Sequence, residues 1–188
     1  MGIILLESER LIIRDLNDGD WEYIYNYRRD PDFNKYDYWG ADSPRCTQRA
    51  MQERVDHAQS NYRHRYDFAF CRKGDGYLVG DGGLRLESCG SGAASIGWAI
   101  HPDRQGKGLA TEAAHVLLRY GFDTLGLKLI HSTCDERNTA SRKVMEKIGM
   151  THVGIQEFIN FYLDYSYDEN DDEPEFTPRQ LRYEYWAK

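Results

Sequence analysis

The chain has 188 residues, of which 24 are basic and 31 acidic, and its formal net charge is −7. This length fits a single domain, residues 1–188, that buries its own core. No apolar run approaches the roughly 18 residues of a membrane-spanning helix, and the apolar stretch Ile3–Leu6 is too short for a signal peptide. We therefore expect a cytoplasmic protein with no membrane partner.

The predicted elements alternate between helices and strands, with a run of three strands in the middle of the chain. This order indicates an α/β fold with a mixed sheet. In chain order they are a strand at Glu9–Arg14, a helix capped by Asp18, an aromatic loop at Tyr36–Gly40, a helix at Cys46–Asn61, strands at Asp67–Cys71, Tyr77–Leu86 and Ala94–His101, a helix at Thr111–Leu125, a strand at Leu127–Thr133, a helix at Asn138–Lys147, and strands at Thr151–Phe161 and Arg182–Trp186.

The acidic residues are unevenly distributed. Eight of them, and no Lys or Arg, lie between Ile148 and Pro178, and seven of the eight fall within Asp164 to Glu175. This segment is either a solvated loop or an acidic rim that attracts a cationic substrate.

The sequence shows no basic face, so we expect no nucleic-acid partner. The four Cys and six His are scattered without the spacing of a metal site, so we expect no metal.

A glycine-rich turn joins the third strand of the central run to the strongest predicted helix. Its pattern is Gln105-x-x-Gly108-x-Ala110. Glycines let successive backbone N–H groups point into one concavity, and the helix N-terminus adds partial positive charge, so such a turn binds phosphate or pyrophosphate. A P-loop would need Gly-Lys-Ser/Thr here, and a dinucleotide-binding turn would need a third glycine where Thr111 stands.

The turn resembles the Q/R-x-x-G-x-G/A acetyl-coenzyme A motif of the GNAT superfamily of N-acetyltransferases. The segment from Asn138 to Met150 resembles the family pattern N-x-x-A/S-x-x-x-Y-x-K-x-G-F/M. The opening Ser8–Arg14 is similar to the start of the Rim-type branch, the ribosomal-protein alanine acetyltransferases. These matches cover about residues 8 to 150. They imply a GNAT-like mixed, mostly antiparallel sheet of about six or seven strands with a central splay, flanked by about four helices.

The resemblance also implies that acetyl-coenzyme A is the co-substrate and that no metal takes part. The turn would hold the pyrophosphate through main-chain N–H groups, Ile100 would donate to the thioester carbonyl, and Asn138 would hydrogen-bond the cofactor arm. The full set of expected cofactor contacts is Ile100, Arg104, Gln105, Gly106, Lys107, Gly108, Leu109, Ala110, Thr111 and Asn138.

The expected chemistry is direct attack of an amine on the thioester. Met145 stands where many relatives carry a Tyr general acid, so we expect Ser141, one helical turn away, to be the acid, unless it is an ordinary helix Ser bonded back to a carbonyl. Ser95 stands where relatives often carry a catalytic Glu. Glu157 is then a candidate base, and a chain of water molecules leading to solvent is the alternative.

Tyr38 and Trp39 lie in the loop that lines the acceptor side in this family, where they would either bind the substrate or pack under the loop.

We expect an acetyl-coenzyme A-dependent N-acetyltransferase whose acceptor is a cationic primary amine. The amine belongs to a protein or peptide N-terminus, or to a small molecule such as a polyamine or an antibiotic. The alternatives are a non-catalytic acyl-coenzyme A sensor and a nucleotide-binding protein. The protein is expected to be a monomer or a homodimer.

Overall fold

One sheet organises the structure, a computed structural model that describes residues 3–36, 43–60, 62–88, 90–157 and 179–187, with only the backbone of residues 156, 157 and 179. Over these residues the sheet has eight strands in the order β1-β2-β3-β4-β5-β6-β8-β7. Neighbours are antiparallel except β5 and β6, which are parallel. The strands are β1 (Leu5–Glu7), β2 (Leu11–Asp15), β3 (Arg65–Arg72), β4 (Leu78–Leu86), β5 (Ala93–Ile100), β6 (Leu129–Asp135), β7 (Thr151–Glu157) and β8 (Arg179–Trp186).

Helices cover both faces of this sheet. Because side chains alternate between the faces of a strand, β3 supplies both cores. Phe68 and Phe70 cluster with residues of α4, whereas Ala69 clusters with Ile24 of α1 and Met51 of α3. In the described part of the chain the helices are α1 (Asp20–Arg28), α2 (Pro31–Asn34), α3 (Pro44–Gln59), α4 (Leu109–Arg119), which continues as a π-helical turn at Tyr120–Thr124, and α5 (Thr139–Lys147).

A buried carboxylate fixes α1 and α3 to the sheet. Asp81 of β4 accepts hydrogen bonds from the Tyr27 hydroxyl and, at 2.9 Å, from Arg28 Nη2. Arg54 Nη1 of α3 lies 3.8 Å from the same carboxylate. Burial, together with the Asp81 charge, raises the pKa of Tyr27 well above its usual value, so the phenol stays protonated and donates. Asp81 pairs with Ala99 of β5, so the network holds both helices over the middle of the sheet.

The parallel strands β5 and β6 pair at only one end and then diverge. Pairing covers Ala93–Ser95 against Leu129–His131. One residue further, Ser132 Oγ donates a hydrogen bond of 2.9 Å to the Ile96 carbonyl. Beyond that point β5 stays paired with β4 as far as Ile100, and β6 stays paired with β8 as far as Asp135. The strands therefore open into a fork, which is the splay expected from the sequence.

The predicted fold class is confirmed, with small differences in the number of elements. The described residues form eight strands and five helices, against about six or seven strands and four helices expected. The additional elements are β1, which has three residues, and α2, which has four and follows the Asp30 cap. The predicted cap of α1 is wrong, since the helix begins at Asp20 and its cap is Gly19, not Asp18. The Asp20 carboxylate accepts hydrogen bonds from the Arg14 side chain and from the Asn17 N–H.

Candidate active site

The turn between β5 and α4 has the geometry of an anion-binding loop. Gly106 and Gly108 adopt φ values of +72° and +77°, in the left-handed region that favours glycine. Gly108 precedes α4 and makes no side-chain cap. None of the backbone N–H groups of residues 106–111 donates to another described residue. The turn therefore presents free donors at the positive end of a helix, where an anion binds best.

Side chains of the turn hold its shape. Gln105 Nε2 donates to the Ile100 carbonyl at 2.9 Å, and Lys107 Nζ donates to the Asp103 carbonyl at 2.9 Å. A Cβ atom built on Gly106 would meet nothing within 4 Å, so the space beside this residue is open. The first residue of the expected motif, Gln105, thus braces the turn with its side chain. Its own N–H donates to the Pro102 carbonyl at 3.2 Å, so the expectation that this N–H is a free donor for the pyrophosphate is wrong.

The opening segment of the chain is tied to the start of α4, which sequence reasoning missed. Glu112 Oε1 accepts from Ser8 Oγ at 2.7 Å and from the Arg10 amide at 2.7 Å, and Glu112 Oε2 accepts from Arg10 Nε at 2.6 Å. Arg10 Nη1 also donates to the Lys107 carbonyl at 3.0 Å. Burial raises the pKa of Glu112, but the hydrogen bonds from Ser8 and Arg10 outweigh it, and the net pKa is lowered. We call this set of contacts the Glu112 tie.

A cleft of about 400 Å³ lies beside the turn, and most of the side chains that line it are basic. Its lining residues are Glu9, Arg10, Arg72, Lys73, Val79, Arg104, Lys107 and Leu109. The lining holds five cations and one carboxylate, but Arg10, Arg72 and Lys73 are ion-paired with Glu112, Asp75 and Glu7. The remaining positive charge favours an anionic ligand. The cleft continues the positive surface of the turn toward β2 and β3.

The main chain of β5 offers donors inside the fork. His101 N–H donates to the Val79 carbonyl of β4 at 2.9 Å. Successive N–H groups of a strand point to opposite edges, so those of Ile100 and Trp98 point away from β4, toward the open side. Ile100 therefore stands where the sequence predicted a donor, and Trp98 offers a second one.

Asn138 and Ser141 form the first turn of α5. Asn138 Oδ1 accepts from the Ser141 amide at 3.0 Å and caps the helix, which leaves the Nδ2 group of Asn138 to donate elsewhere. The partly buried Ser141 hydroxyl makes no hydrogen bond to a described residue, so the back-bond to a helix carbonyl is not seen. Met145, one turn on, is only 1% exposed and belongs to the core.

The structure describes the remaining predicted site residues only in part or not at all. Glu157 is the last residue of β7, opposite Arg179, and β8 lies between it and β6. Tyr38, Trp39 and the acidic segment Asp164 to Glu175 lie outside the described residues.

In the described part of the chain, no three His, Cys, Asp or Glu side chains are grouped as a metal site would require. Among the same residues, no helix combines the length and apolar character that crossing a membrane demands.

Comparison with known proteins identifies the family. The GNAT acetyltransferase domain model matches residues 10–151. The uncharacterized N-acetyltransferase YnaD of Bacillus subtilis is 31% identical over 80% of this chain and 84% of its own length. The chain belongs to the GNAT family of acetyltransferases. The family predicted from the turn, the α5 pattern and the opening strand is confirmed, and the protein is an acetyltransferase.

Solved GNAT structures share the fold of the whole chain. An acetyltransferase of the GNAT family from Bacillus anthracis has a TM-score of 0.78 at 28% identity, covering 97% of this chain and 98% of its own. The ribosomal-protein-S5-alanine acetyltransferase from Vibrio fischeri has a TM-score of 0.73 at 18% identity, covering 97% and 96%. The latter shows that a Rim-type enzyme has the same fold.

A shorter match links the chain to a polyamine enzyme. The spermidine N(1)-acetyltransferase of Escherichia coli is 38% identical over 55 residues, which are 29% of this chain and 30% of that protein. The acceptors of these GNAT relatives therefore include a small polycation as well as a protein.

Proposed function

We propose that this GNAT protein transfers the acetyl group of acetyl-coenzyme A to the primary amine of a cationic acceptor, by direct attack of the amine on the thioester. The observation that carries the proposal is the pairing of an open anion-binding turn with a forked pair of strands. The turn binds the pyrophosphate, and the fork receives the arm that carries the thioester. The whole chain acts as one acetyltransferase domain, as a monomer or a homodimer.

The residues of the turn and of the fork fit coenzyme A. Its phosphates are anions, and the N–H groups of residues 106–111 with the basic cleft supply matching charge. Its arm contains amides, and the free N–H groups of Ile100 and Trp98 hydrogen-bond them or the thioester carbonyl. Asn138 Nδ2 donates to the arm from the other side of the fork. The proposed contacts are Ile100, Arg104, Gly106, Lys107, Gly108, Leu109, Ala110, Thr111 and Asn138, and Gln105 holds the shape of the turn.

The reaction needs two proton transfers. An acceptor amine with a pKa near ~10, as for lysine, arrives protonated and must lose a proton before it attacks. The coenzyme A thiolate that leaves must then gain one. Ser141 supplies that proton, because its hydroxyl is not engaged by a helix carbonyl and Met145 has none to give. Glu157 and a chain of water molecules are the two routes that the sequence offers for the amine proton.

The acceptor approaches on the face covered by α1 and α3. The loop with Tyr38 and Trp39 lies between α2 and α3 in the sequence, and the acidic segment joins β7 to β8. The acidic segment favours a cation, which is what a polyamine or a peptide N-terminus carries at neutral pH. The cytoplasmic location expected from the sequence stays a prediction.

Turnover distinguishes an enzyme from a sensor. We would incubate the protein with acetyl-coenzyme A and a panel comprising spermidine, an aminoglycoside and peptides beginning with alanine or serine. Free thiol reports turnover, and mass spectrometry identifies any product that gains an acetyl group. We expect turnover of at least one amine. Binding of acetyl-coenzyme A without turnover would favour the sensor, and failure to bind it would contradict the proposal.

A further inference from the structure

A buried hydroxyl stands at the point where β5 and β6 separate. Ser132 of β6 is 4% exposed, and its Oγ atom donates to the Ile96 carbonyl of β5 at 2.9 Å. Strand pairing stops one residue earlier, at Ser95 and His131. The Ser132 hydroxyl therefore marks the closed end of the fork.

This hydroxyl takes the place of a main-chain donor. In a regular parallel ladder, the next bond after the last pair would run from the Thr133 N–H to the Ile96 carbonyl. Pairing ends before that bond, and Ser132 Oγ donates to the carbonyl instead. Because the buried carbonyl already has a partner, the strands gain no hydrogen bond by closing further.

The N–H group of Thr133 is left facing the fork. The Ala187 N–H donates to the Lys128 carbonyl at 2.9 Å, so the even-numbered residues of β6 bond to β8 and the odd-numbered ones face β5. No described residue accepts from the Thr133 N–H. The Trp98 N–H points across the fork from β5 at a neighbouring level, so one oxygen between the strands can accept from both donors.

The acceptor face of this position is open. Ile130 and Cys134 belong to the core under α4, so Ser132 between them lies on that face. Gly97 shares the opposite face with Ala99, which packs in the core under α1 and α3. Gly97 is exposed, and a Cβ atom built on it would meet nothing within 4 Å. An amine can therefore approach the closed end of the fork without meeting a side chain at this residue.

The length of the coenzyme A arm brings the thioester to this position. An extended arm of roughly a dozen bonds spans about 14 Å. At about 3.3 Å per strand residue, this equals some four residues of β5. Counted back from Ile100, four residues end at Ile96, beside the Thr133 N–H.

We infer that Ser132 is a positioning residue for the acetyl transfer, an inference that rests on the proposed function. Its bond to Ile96 fixes the closed end of the fork and keeps the Thr133 N–H free to donate to the thioester carbonyl. As the amine nitrogen bonds to the thioester carbon, the C=O electron pair moves onto the oxygen, where the Thr133 and Trp98 N–H groups stabilise the charge. The pair then re-forms the C=O bond while the C–S bond breaks and the thiolate leaves. The two proton transfers are those proposed above.

The first test follows the Thr133 amide by hydrogen exchange and needs no turnover. In the free protein this amide should exchange fast, because it has no acceptor, and acetyl-coenzyme A should slow it. In Ser132→Ala the Ile96 carbonyl loses its donor and should draw the Thr133 N–H into the ladder, so the amide should be protected without ligand. The His131 amide, inside the paired region, is the protected reference.

The second test compares two substitutions at the same position. With the best amine of the panel, Ser132→Ala should lower kcat about 100-fold, as for loss of an oxyanion donor. The dissociation constant for coenzyme A should not change, because the turn is untouched, and this also shows that the variant is folded. Ser132→Thr keeps the hydroxyl and should keep most of the rate. A role in packing alone would make the added methyl group at least as harmful as the lost hydroxyl.

Ser91→Ala is the matched control. Ser91 Oγ accepts from the Ala93 amide at 3.1 Å, at the start of β5 and away from the fork. This variant also loses a hydroxyl that contacts the main chain of β5. It should keep the wild-type kcat and leave the exchange of the Thr133 amide unchanged.

The outcomes separate the two proposals. If wild type acetylates an amine and folded Ser132→Ala keeps the same kcat, the assignment is wrong and the proposed function stands. A Thr133 amide as protected as His131 in free wild type, or equally unprotected in wild type and Ser132→Ala, would also overturn it. If wild type turns over no amine of the panel, the proposed function fails and this assignment fails with it.

Discussion

Ser141 and Met145 stand one turn apart on α5, and only Ser141 has a proton to give. Its amide is bound by Asn138, which fixes the first turn, while its hydroxyl has no described partner. In the proposed reaction, this hydroxyl gives its proton to the leaving thiolate.

We predict that Ser141→Ala lowers kcat by about 100-fold and leaves the dissociation constant for acetyl-coenzyme A unchanged, because only the proton donor is removed. Steady-state kinetics and calorimetry would measure the two quantities. Thr139→Ala, an exposed hydroxyl on the same turn, is the control and should behave as wild type. An unchanged kcat in Ser141→Ala would show that the thiolate leaves without this donor.

The buried position of Met145 limits what a substitution there can test. At 1% exposure it packs in the core below α5, so a tyrosine would have to bury a larger ring and find a partner for its hydroxyl. We expect Met145→Tyr to destabilise the fold by about 1–3 kcal/mol, rather than simply to supply an acid in place of Ser141.

At the scale of elements, two glycines with the same backbone conformation lie on either side of α4 and its π-helical turn. Gly106 and Gly126 have φ values of +72° and +66°, and a Cβ atom on either would meet nothing within 4 Å. A substitution at either position is therefore strained to a similar extent. The two positions differ in what they face, since only Gly106 belongs to the anion-binding turn.

We predict that Gly106→Trp weakens coenzyme A binding by about 100-fold or more, because the indole takes the place of the phosphates and several charge-assisted hydrogen bonds are lost. Gly126→Trp should lose similar stability in urea and keep its affinity. Calorimetry with coenzyme A measures the difference. Equal affinities in folded Gly106→Trp and wild type would remove the turn from the binding site.

The Glu112 tie connects the start of β2 to the start of α4, and through Arg10 it reaches the carbonyl of Lys107. Because that carbonyl is fixed, the following N–H is fixed as well. We predict that Glu112→Gln weakens coenzyme A binding several-fold, up to about tenfold, as the turn loses its support. Glu53→Gln is the control, because the exposed Arg49–Glu53 ion pair of α3, 3.3 Å long, belongs to neither the turn nor the lining of the basic cleft.

The same tie predicts how stability depends on pH. The folded pKa of Glu112 is lowered, so its contribution is present above the unfolded value near ~4.3 and is lost as the pH falls through the folded pKa. Since Arg10 is 47% exposed, solvent screens the pair, and we expect about 1 kcal/mol at neutral pH. Urea unfolding of wild type and Glu112→Gln should differ by this amount at neutral pH and converge in acid. A constant difference would assign the effect to packing.

The sequence predicted the elements whose pattern is local and missed the contacts that join distant residues. The apolar stripe of α4 and the glycines of the turn lie within a few residues of each other, so both could be identified. The Glu112 tie links residues 102 positions apart, and the His131–Glu87 contact links residues 44 apart. Those contacts depend on strand register, which no local spacing of residues specifies.

At the scale of the whole molecule, a basic cleft in the described structure and an acidic stretch of the sequence belong to different parts of the chain. The basic cleft borders the turn on the side of β2, β3 and β4. On the far side of the fork, β7 and β8 are joined by the acidic segment, and their ends pair Glu157 with Arg179, next to Asp135 of β6. In the proposed function, the basic cleft attracts the anionic cofactor and the acidic segment attracts the cationic acceptor.

The last prediction concerns the acidic segment. We expect neutralising Asp171, Asp172 and Glu173 to Asn or Gln to raise KM for a polycationic acceptor such as spermidine several-fold, because clustered carboxylates raise its local concentration. The effect should fade with salt, as the Debye length falls from ~10 Å at 0.1 M to ~3 Å at 1 M. KM for acetyl-coenzyme A should not rise, since that ligand is an anion.

Neutralising three exposed acids elsewhere in the chain, Asp18, Glu22 and Asp123, gives the same change in net charge and serves as the control. If net charge alone governed binding, both triple variants would raise the acceptor KM equally. If the segment forms the acidic rim, only the first variant would do so, and more for spermidine than for a peptide with a single positive charge. Equal acceptor KM values for wild type and the first variant at low salt would leave the segment as a solvated loop.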